Sequence, residues 1–209
     1  MSYYPVFVQM TGRRCVVIGG GAVGERKVEG LLQSGAHVTV ISPDLTEKLE
    51  AWSRERAIQH VSRPYRRGDL IGSELAFAAT DDPALNATIY KDAREQEVWL
   101  NAADDPAHCD FILPAVLRRG DFTMAVSTGG ASPAAARVIR DELGKYLTAD
   151  FAQLVQIASE ARRELREKSL QVSAESWNAA LEGDCRRLIG EGKAEEAKRL
   201  LFEKLGVTP

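Results

Sequence analysis

Gly19-Gly20-Gly21-Ala22-Val23-Gly24 sets three glycines in G-x-G-x-x-G spacing. In such a turn the first glycine, Gly19, permits a tight bend. Gly21 lets the main chain approach a pyrophosphate, and Gly24 lets a helix pack close to a strand. The free N–H groups and partial positive charge of the helix N-terminus then face the phosphates. The spacing alone is a weak pattern, and a glycine turn without a ligand is its structural alternative; a strand before it and a helix after it raise its specificity. An acidic residue that holds the adenosine ribose is expected about 20 residues further on. Ser42-Pro43-Asp44 occupies that region, where Asp44 either reaches the ribose or caps a helix starting near Leu45. No arginine follows at once to hold a 2′-phosphate, which favours NAD over NADP unless Arg66 and Arg67 fold back to that place.

Asp104 and Asp105 form a second candidate group, placed after a strand-like run where ligands of parallel sheets bind. A carboxylate there could accept the proton that leaves a substrate as hydride passes to a nicotinamide. On an extended chain only one of the two faces a given side, and an ordinary Asp-Asp turn before Pro106 is the alternative. His108 and Cys109 lie close by, but no further CxxC or HxxxH pair completes a coordination sphere, so no fixed metal site is expected. Ser127, Thr128, Gly129, Gly130 and Ser132 lead into another helix start, suited either to a carboxylate ligand or to simple capping. Arg137, with Arg26, Lys27, Arg118, Arg119 and Arg140, is a candidate for binding an acidic substrate through the planar guanidinium fork or an ammonium.

The elements that must position these residues follow from periodicity. Cys15–Ile18 reads as a buried strand, Ala22–Ser34 as a helix stopped by Gly35, and His37–Ile41 as a second strand. A helix over Thr46–Arg56, strands at Ile58–Val61 and Leu75–Ala79, a helix from Asp82-Pro83 to Glu95, and a strand at Val98–Asn101 continue the alternation. This predicts an α/β fold of Rossmann type with a mainly parallel sheet. From Asp110 the pattern changes to strands at Phe111–Pro114 and Phe122–Val126 around the turn Arg119-Gly120-Asp121. A helix over Pro133–Tyr146, capped by Ser132, and a helical tail complete it. The expected division is a nucleotide domain over 1–112, a small dimerisation segment over 113–147 and a C-terminal helical domain over 148–209.

Composition narrows the classes. The 209 residues hold one dinucleotide domain and a smaller unit, since domains run to roughly 100–150 residues. A hydrophobic share of 44% and a charged share of 27% are ordinary for a globular chain. The net charge of −3 gives no global attraction to nucleic acid or an anionic membrane. Three scattered cysteines make no disulfide framework and suit a reducing cytoplasm, and no run is apolar and long enough to span a bilayer.

Pro5-Val6-Phe7, GRRCVVIGGGAVGERK, the strand end NAADD and AVSTGGASPAAARVIRDEL together resemble the precorrin-2 dehydrogenase family. That family includes bifunctional dehydrogenase/ferrochelatases and the N-terminal part of sirohaem synthases. The resemblance covers residues 1–150 closely and the tail loosely; with no room for a methyltransferase-sized extension, a trifunctional form is not expected. It implies NAD-dependent oxidation of the tetrapyrrole precorrin-2 to sirohydrochlorin, with ferrous iron insertion in some members, in a homodimer. It also implies that Ala22-Val23 and Pro43-Asp44 meet the dinucleotide and that Asp104 is the important aspartate. Thr128 stands where some members carry a phosphorylated serine. A dinucleotide-sensing regulatory module and another NAD(P) reductase are the rival readings.

Overall fold

Strand β1 (Arg14–Ile18) is buried along four of its five residues, because it lies at the centre of a sheet covered on both faces. In the computed structural model, which describes residues 3–103 and 105–207, five parallel strands run in the order β3-β2-β1-β4-β5. The others are β2 (His37–Ile41), β3 (Ile58–Val61), β4 (Leu75–Ala78) and β5 (Trp99–Ala102). The chain moves outward from β1 in one direction through β2 and β3 and in the other through β4 and β5. The crevice where the order reverses therefore lies beyond the carboxyl ends of β1 and β4.

Side-chain alternation divides the core. Cys15, Val17, Val38, Val40 and Phe77 pack with Val28 and Leu31 of α1 (Ala22–Gln33) and Leu49 of α2 (Glu47–Arg54). Val16, Ile18, Ala76, Ala78 and Leu100 pack with Ile89 and Ala93 of α3 (Pro83–Glu95). The start of α3 follows from local chemistry: Asp82 accepts hydrogen bonds from the N–H groups of Ala84 and Leu85, and Pro83 needs no donor partner.

The crossover from β3 to β4 contains no helix and is tied down by two carboxylates. Asp69 accepts both arms of the Arg63 guanidinium at 2.7 Å and the Arg66 N–H at 2.7 Å. Asp92 of α3, fully buried, accepts the Tyr65 hydroxyl and the Gly68 N–H at 2.8 Å, while its second oxygen has no partner among the described residues. Burial, and then the facing Asp92, pushes the Tyr65 phenol well above its ordinary range.

The strand expected at Phe111–Pro114 does not form. The Phe111 carbonyl accepts the Asn101 side-chain amide at 2.9 Å, and its ring stands edge-on to Phe77. Pro114 has no N–H for a ladder. The next strand begins instead at Ala115.

By contacts the chain divides into two compact units, Met1–Leu113 and Pro114–Pro209. In the second, β6 (Ala115–Arg119) and β7 (Phe122–Val126) form a hairpin turned by Gly120, whose φ of 54° is a left-handed value. Helix α4 (Pro133–Tyr146) packs on this hairpin. Helices α5 (Ala149–Glu167), α6 (Ala174–Leu181), α7 (Asp184–Gly190) and α8 (Ala194–Lys204) enclose Ile157, Ala161, Leu165, Cys185, Ile189 and Leu201. Among the described residues no helix is long and apolar enough to cross a membrane.

Hydrogen bonding from the Arg63 guanidinium holds the Asp69 carboxyl below its ordinary range. A carboxyl whose folded pKa is depressed contributes stability that is fully present above its unfolded pKa, about 3.9, and lost as pH falls through the folded value. Urea titrations of Asp69→Asn at neutral pH should therefore show a loss of roughly 1–3 kcal/mol. The gap from the parent should close as the pH drops below about 4; a gap independent of pH would exclude the charged pair as its source.

Candidate active site

The glycine turn sits at the carboxyl end of β1, and two neighbouring strand ends leave it almost no room. A Cβ on Gly19, which has a φ of 108°, would lie 2.2 Å from the Ala79 carbonyl oxygen. A Cβ on Gly24 would lie 2.1 Å from the Gly19 carbonyl oxygen, so this glycine secures the helix-to-strand approach. Gly21 is different: its Cβ would meet no protein atom within 4 Å. Nothing in the fold requires glycine there, and the space over its main chain is open to a ligand. Ala22 and Val23 begin α1 directly behind, with Gly21 at its N-cap and no side chain closing the cap.

Gly20 falls on the unspecified position of the motif, and the sequence pattern assigns it no role of its own. A Cβ there would lie 2.1 Å from the Asp44 carbonyl oxygen. The Thr46 N–H donates to the Gly20 carbonyl at 3.0 Å, and the Gly19 N–H donates to the Ile41 carbonyl at 3.0 Å. The Thr46 hydroxyl donates to Glu25 of α1 at 2.6 Å while accepting the Leu49 N–H to cap α2. Thr46, then, does the capping for which Asp44 was a candidate. Asp44 stays exposed and without an ion pair among the described residues, beside a hollow of about 400 Å³ lined by Pro43, Leu45, Arg54, His60 and Ser62 among others. Arg67 does not fold back to it, because it pairs with Glu95.

Beyond β5, Asp104 lies outside the described residues. Its neighbour Asp105 is turned onto His108, whose Nδ1 lies 2.5 Å from the carboxylate, within a short 3-10 turn over Pro106–His108. Cys109 ties this turn back to the strand: its thiol lies 3.3 Å from the carbonyls of Ala102 and Asp105 and accepts the Ala102 N–H at 3.2 Å. Leu100 and Asp110 add a reciprocal pair, with the Leu100 N–H on the Asp110 carboxylate and the Asp110 N–H on the Leu100 carbonyl. Asn101, buried in β5, gives its amide to Phe111 and accepts the Lys27 ammonium at 3.2 Å. Lys27, a candidate for substrate carboxylates, thus has its ammonium on Asn101, 5.8 Å from the Phe77 ring centroid. Burial raises all three thiols above their ordinary value: Cys15 is pushed up to about 11, and Cys109 and Cys185 are also raised.

The residues singled out between β7 and α4 belong to the second unit. Ser132 accepts the Ala135 N–H and caps α4. The Thr128 hydroxyl accepts the Ser132 N–H at 2.9 Å and donates to its carbonyl at 3.0 Å, so it closes the loop on itself. Ser127 accepts the Gly129 N–H. Gly129 and Gly130, both at positive φ, have nothing within 4 Å of a Cβ position, and Arg137 is exposed one turn into the helix.

A parallel sheet that reverses its order at a glycine-lined helix start, with open space over one glycine, defines a Rossmann-type dinucleotide-binding protein. Residues 6–115 match the model of an NAD(P)-binding family, and residues 119–146 match that of the sirohaem biosynthesis protein central region. The siroheme synthase of Nitrosococcus oceani is 37% identical over 203 residues, covering 96% of this chain and 43% of that protein. That of Photobacterium profundum is 34% identical, covering 97% and 44%. The solved structure of SirC, precorrin-2 dehydrogenase, superposes with a TM-score of 0.78 at 27% identity, covering 96% of this chain and 100% of that one. The chain belongs to the NAD(P)-binding family whose model spans residues 6–115. It spans less than half the length of the siroheme synthases it matches.

Two glycine variants separate folding from binding. Gly20→Ala drives a methyl group into main chain and should cost roughly 1–3 kcal/mol or more in a urea titration. Gly21→Asp meets no protein atom, so its unfolding midpoint should stay near the parent's. Calorimetry should show dinucleotide affinity falling at least about tenfold, because a carboxylate then faces the anionic pyrophosphate. Unchanged affinity in Gly21→Asp would remove the glycine turn from the binding site.

Proposed function

We propose that the chain catalyses NAD-dependent oxidation of precorrin-2 to sirohydrochlorin, and that it also inserts ferrous iron to give sirohaem. The observation that carries the dehydrogenase reading is the likeness to SirC along the whole of that precorrin-2 dehydrogenase, together with a glycine turn whose open face suits a pyrophosphate. Gly19, Gly20, Gly21, Ala22, Val23 and Gly24 form the cradle for the diphosphate, and Pro43 and Asp44 receive the adenosine ribose. A free carboxylate at Asp44 repels a 2′-phosphate, which supports NAD over NADP. NAD, when bound, supplies the hydride acceptor. Asp104 takes the proton that leaves the substrate with that hydride. Ser127, Thr128, Gly129, Gly130, Ser132 and Arg137 bind the acidic side chains of the tetrapyrrole. The loop hydroxyls and N–H groups fix position, and the exposed guanidinium supplies charge.

Residues 113–147 serve dimerisation in this reading, and 148–209 form the helical domain. Support comes from α4, whose Val138, Ile139, Leu143 and Tyr146 leave an apolar stripe exposed while its other side covers the hairpin. An apolar face of this size on a two-stranded sheet and helix suits a second copy of the chain. The cytoplasm is the proposed location, consistent with three unpaired cysteines.

Purified protein given precorrin-2 and NAD should develop the absorbance of sirohydrochlorin. A pure dinucleotide sensor would bind NAD and convert nothing, and a different reductase would leave precorrin-2 unchanged. In Asp104→Asn the dehydrogenation rate should fall by about 10²–10⁴ with NAD affinity little altered, since the amide keeps size but not basicity. Full activity in that variant would end the carboxylate mechanism. Sedimentation at micromolar concentration should show a dimer; a stable, active monomer would remove the assembly from this reading.

A further inference from the structure

Asp105 and His108 lie outside the glycine turn, and other bonds also close the short turn that carries their pairing. The His108 N–H already donates to the Asp105 carbonyl at 3.1 Å, and the Cys109 thiol closes the same turn from the other side. The side chains nevertheless form a directed pair. Nδ1 of His108 lies 2.5 Å from the Asp105 carboxylate, and both groups are about one-third exposed, at 34% and 33%. The Tyr90 ring of α3 packs on the imidazole at 4.5 Å between centroids. Tyr90 is itself held by Arg94, which reaches its hydroxyl at 3.3 Å and pairs with Asp110 at 2.7 Å. One ring nitrogen is thus committed and one ring face covered, and Nε2 has no partner among the described residues.

A carboxylate on Nδ1 fixes the tautomer with its proton there. It leaves the Nε2 lone pair as an acceptor. The dyad follows β5 on the carboxyl side of the sheet, where ligands of this fold bind. It begins one residue after Asp104 in the sequence.

We propose that His108, oriented by Asp105, is a second proton acceptor for the tetrapyrrole, serving the insertion of iron. This rests on the sirohaem reading above. Oxidation of precorrin-2 releases one proton with its hydride, and a single carboxylate takes it. Insertion of ferrous iron into sirohydrochlorin differs: two pyrrole N–H bonds break, both electron pairs stay on nitrogen to bind the metal, and two protons leave with no change in oxidation state. Asp104 takes one and Nε2 of His108 takes the other.

The test compares the full-length parent with His108→Ala and Asp105→Asn in two separate assays under anaerobic conditions. One follows precorrin-2 with NAD and no iron; the other follows sirohydrochlorin, supplied directly, with ferrous iron. In His108→Ala the ratio of insertion rate to dehydrogenation rate should fall at least about tenfold, with NAD affinity unchanged. Free imidazole added to the buffer should restore much of the loss, which a merely structural defect would not allow. Asp105→Asn should reduce insertion less than His108→Ala does, because it disturbs only the tautomer. An unchanged ratio, an absence of rescue by imidazole, or a parent protein that oxidises precorrin-2 but inserts no iron would each overturn the assignment. Failure of the parent to oxidise precorrin-2 would instead count against the dehydrogenase reading, while the insertion assay still decides the role of His108.

Discussion

Three main-chain approaches at the end of β1 set the geometry of the first unit. Gly19 abuts the carbonyl of Ala79, Gly20 that of Asp44, and Gly24 that of Gly19, each at a separation that excludes a Cβ. These contacts bring the ends of β1, β2 and β4 and the start of α1 to one point. The crevice of the sheet therefore has a backbone lining instead of a side-chain lining. The hydrogen bonds from Thr46 to Gly20 and to Glu25 then lock α2 to the same place. Gly21 is left free of every such demand, so the residue that the fold needs least is the one best placed to meet a ligand.

The order of strands and helices was legible because each element carried its own signal. Asp82-Pro83 states both the cap and the first turn of α3, and Ser132-Pro133 does the same for α4. Phe111–Pro114 misled because an apolar run does not say whether its main-chain groups will meet a strand or a side chain; here Asn101 takes the carbonyl. The importance of Gly20 was hidden for a related reason. The motif records glycines needed within the turn, whereas Gly20 answers to a segment more than twenty positions later. Lys27 read as a cation for an acidic substrate, since nothing local announces that a buried Asn101 two strands away will accept it. The Asp105 and His108 pair is three residues apart, yet the expectation of an extended chain there obscured it until the short turn was seen.

The crossover between β3 and β4 shows how a doubly wound sheet can dispense with a helix. A helix would satisfy its own main chain and cover the sheet with an apolar stripe. Here Tyr65 and Leu70 supply the apolar cover, and Asp69 and Asp92 supply the hydrogen-bond acceptors. The cost is a buried carboxylate with one oxygen unmatched among the described residues, which makes this segment more sensitive to a single polar substitution than the helical crossovers around it.

The thiols carry a further consequence for reactivity. The thiolate is the reactive form of cysteine, and burial raises the Cys15, Cys109 and Cys185 thiols above their ordinary value, which disfavours it. Cys109 is the one nearest the Asp105 and His108 pair, and its hydrogen is engaged with main-chain carbonyls. Each thiol is thus a packing or hydrogen-bonding group and not an activated nucleophile. The segment after β5 holds its shape by sulfur hydrogen bonds while the sulfur itself remains chemically quiet.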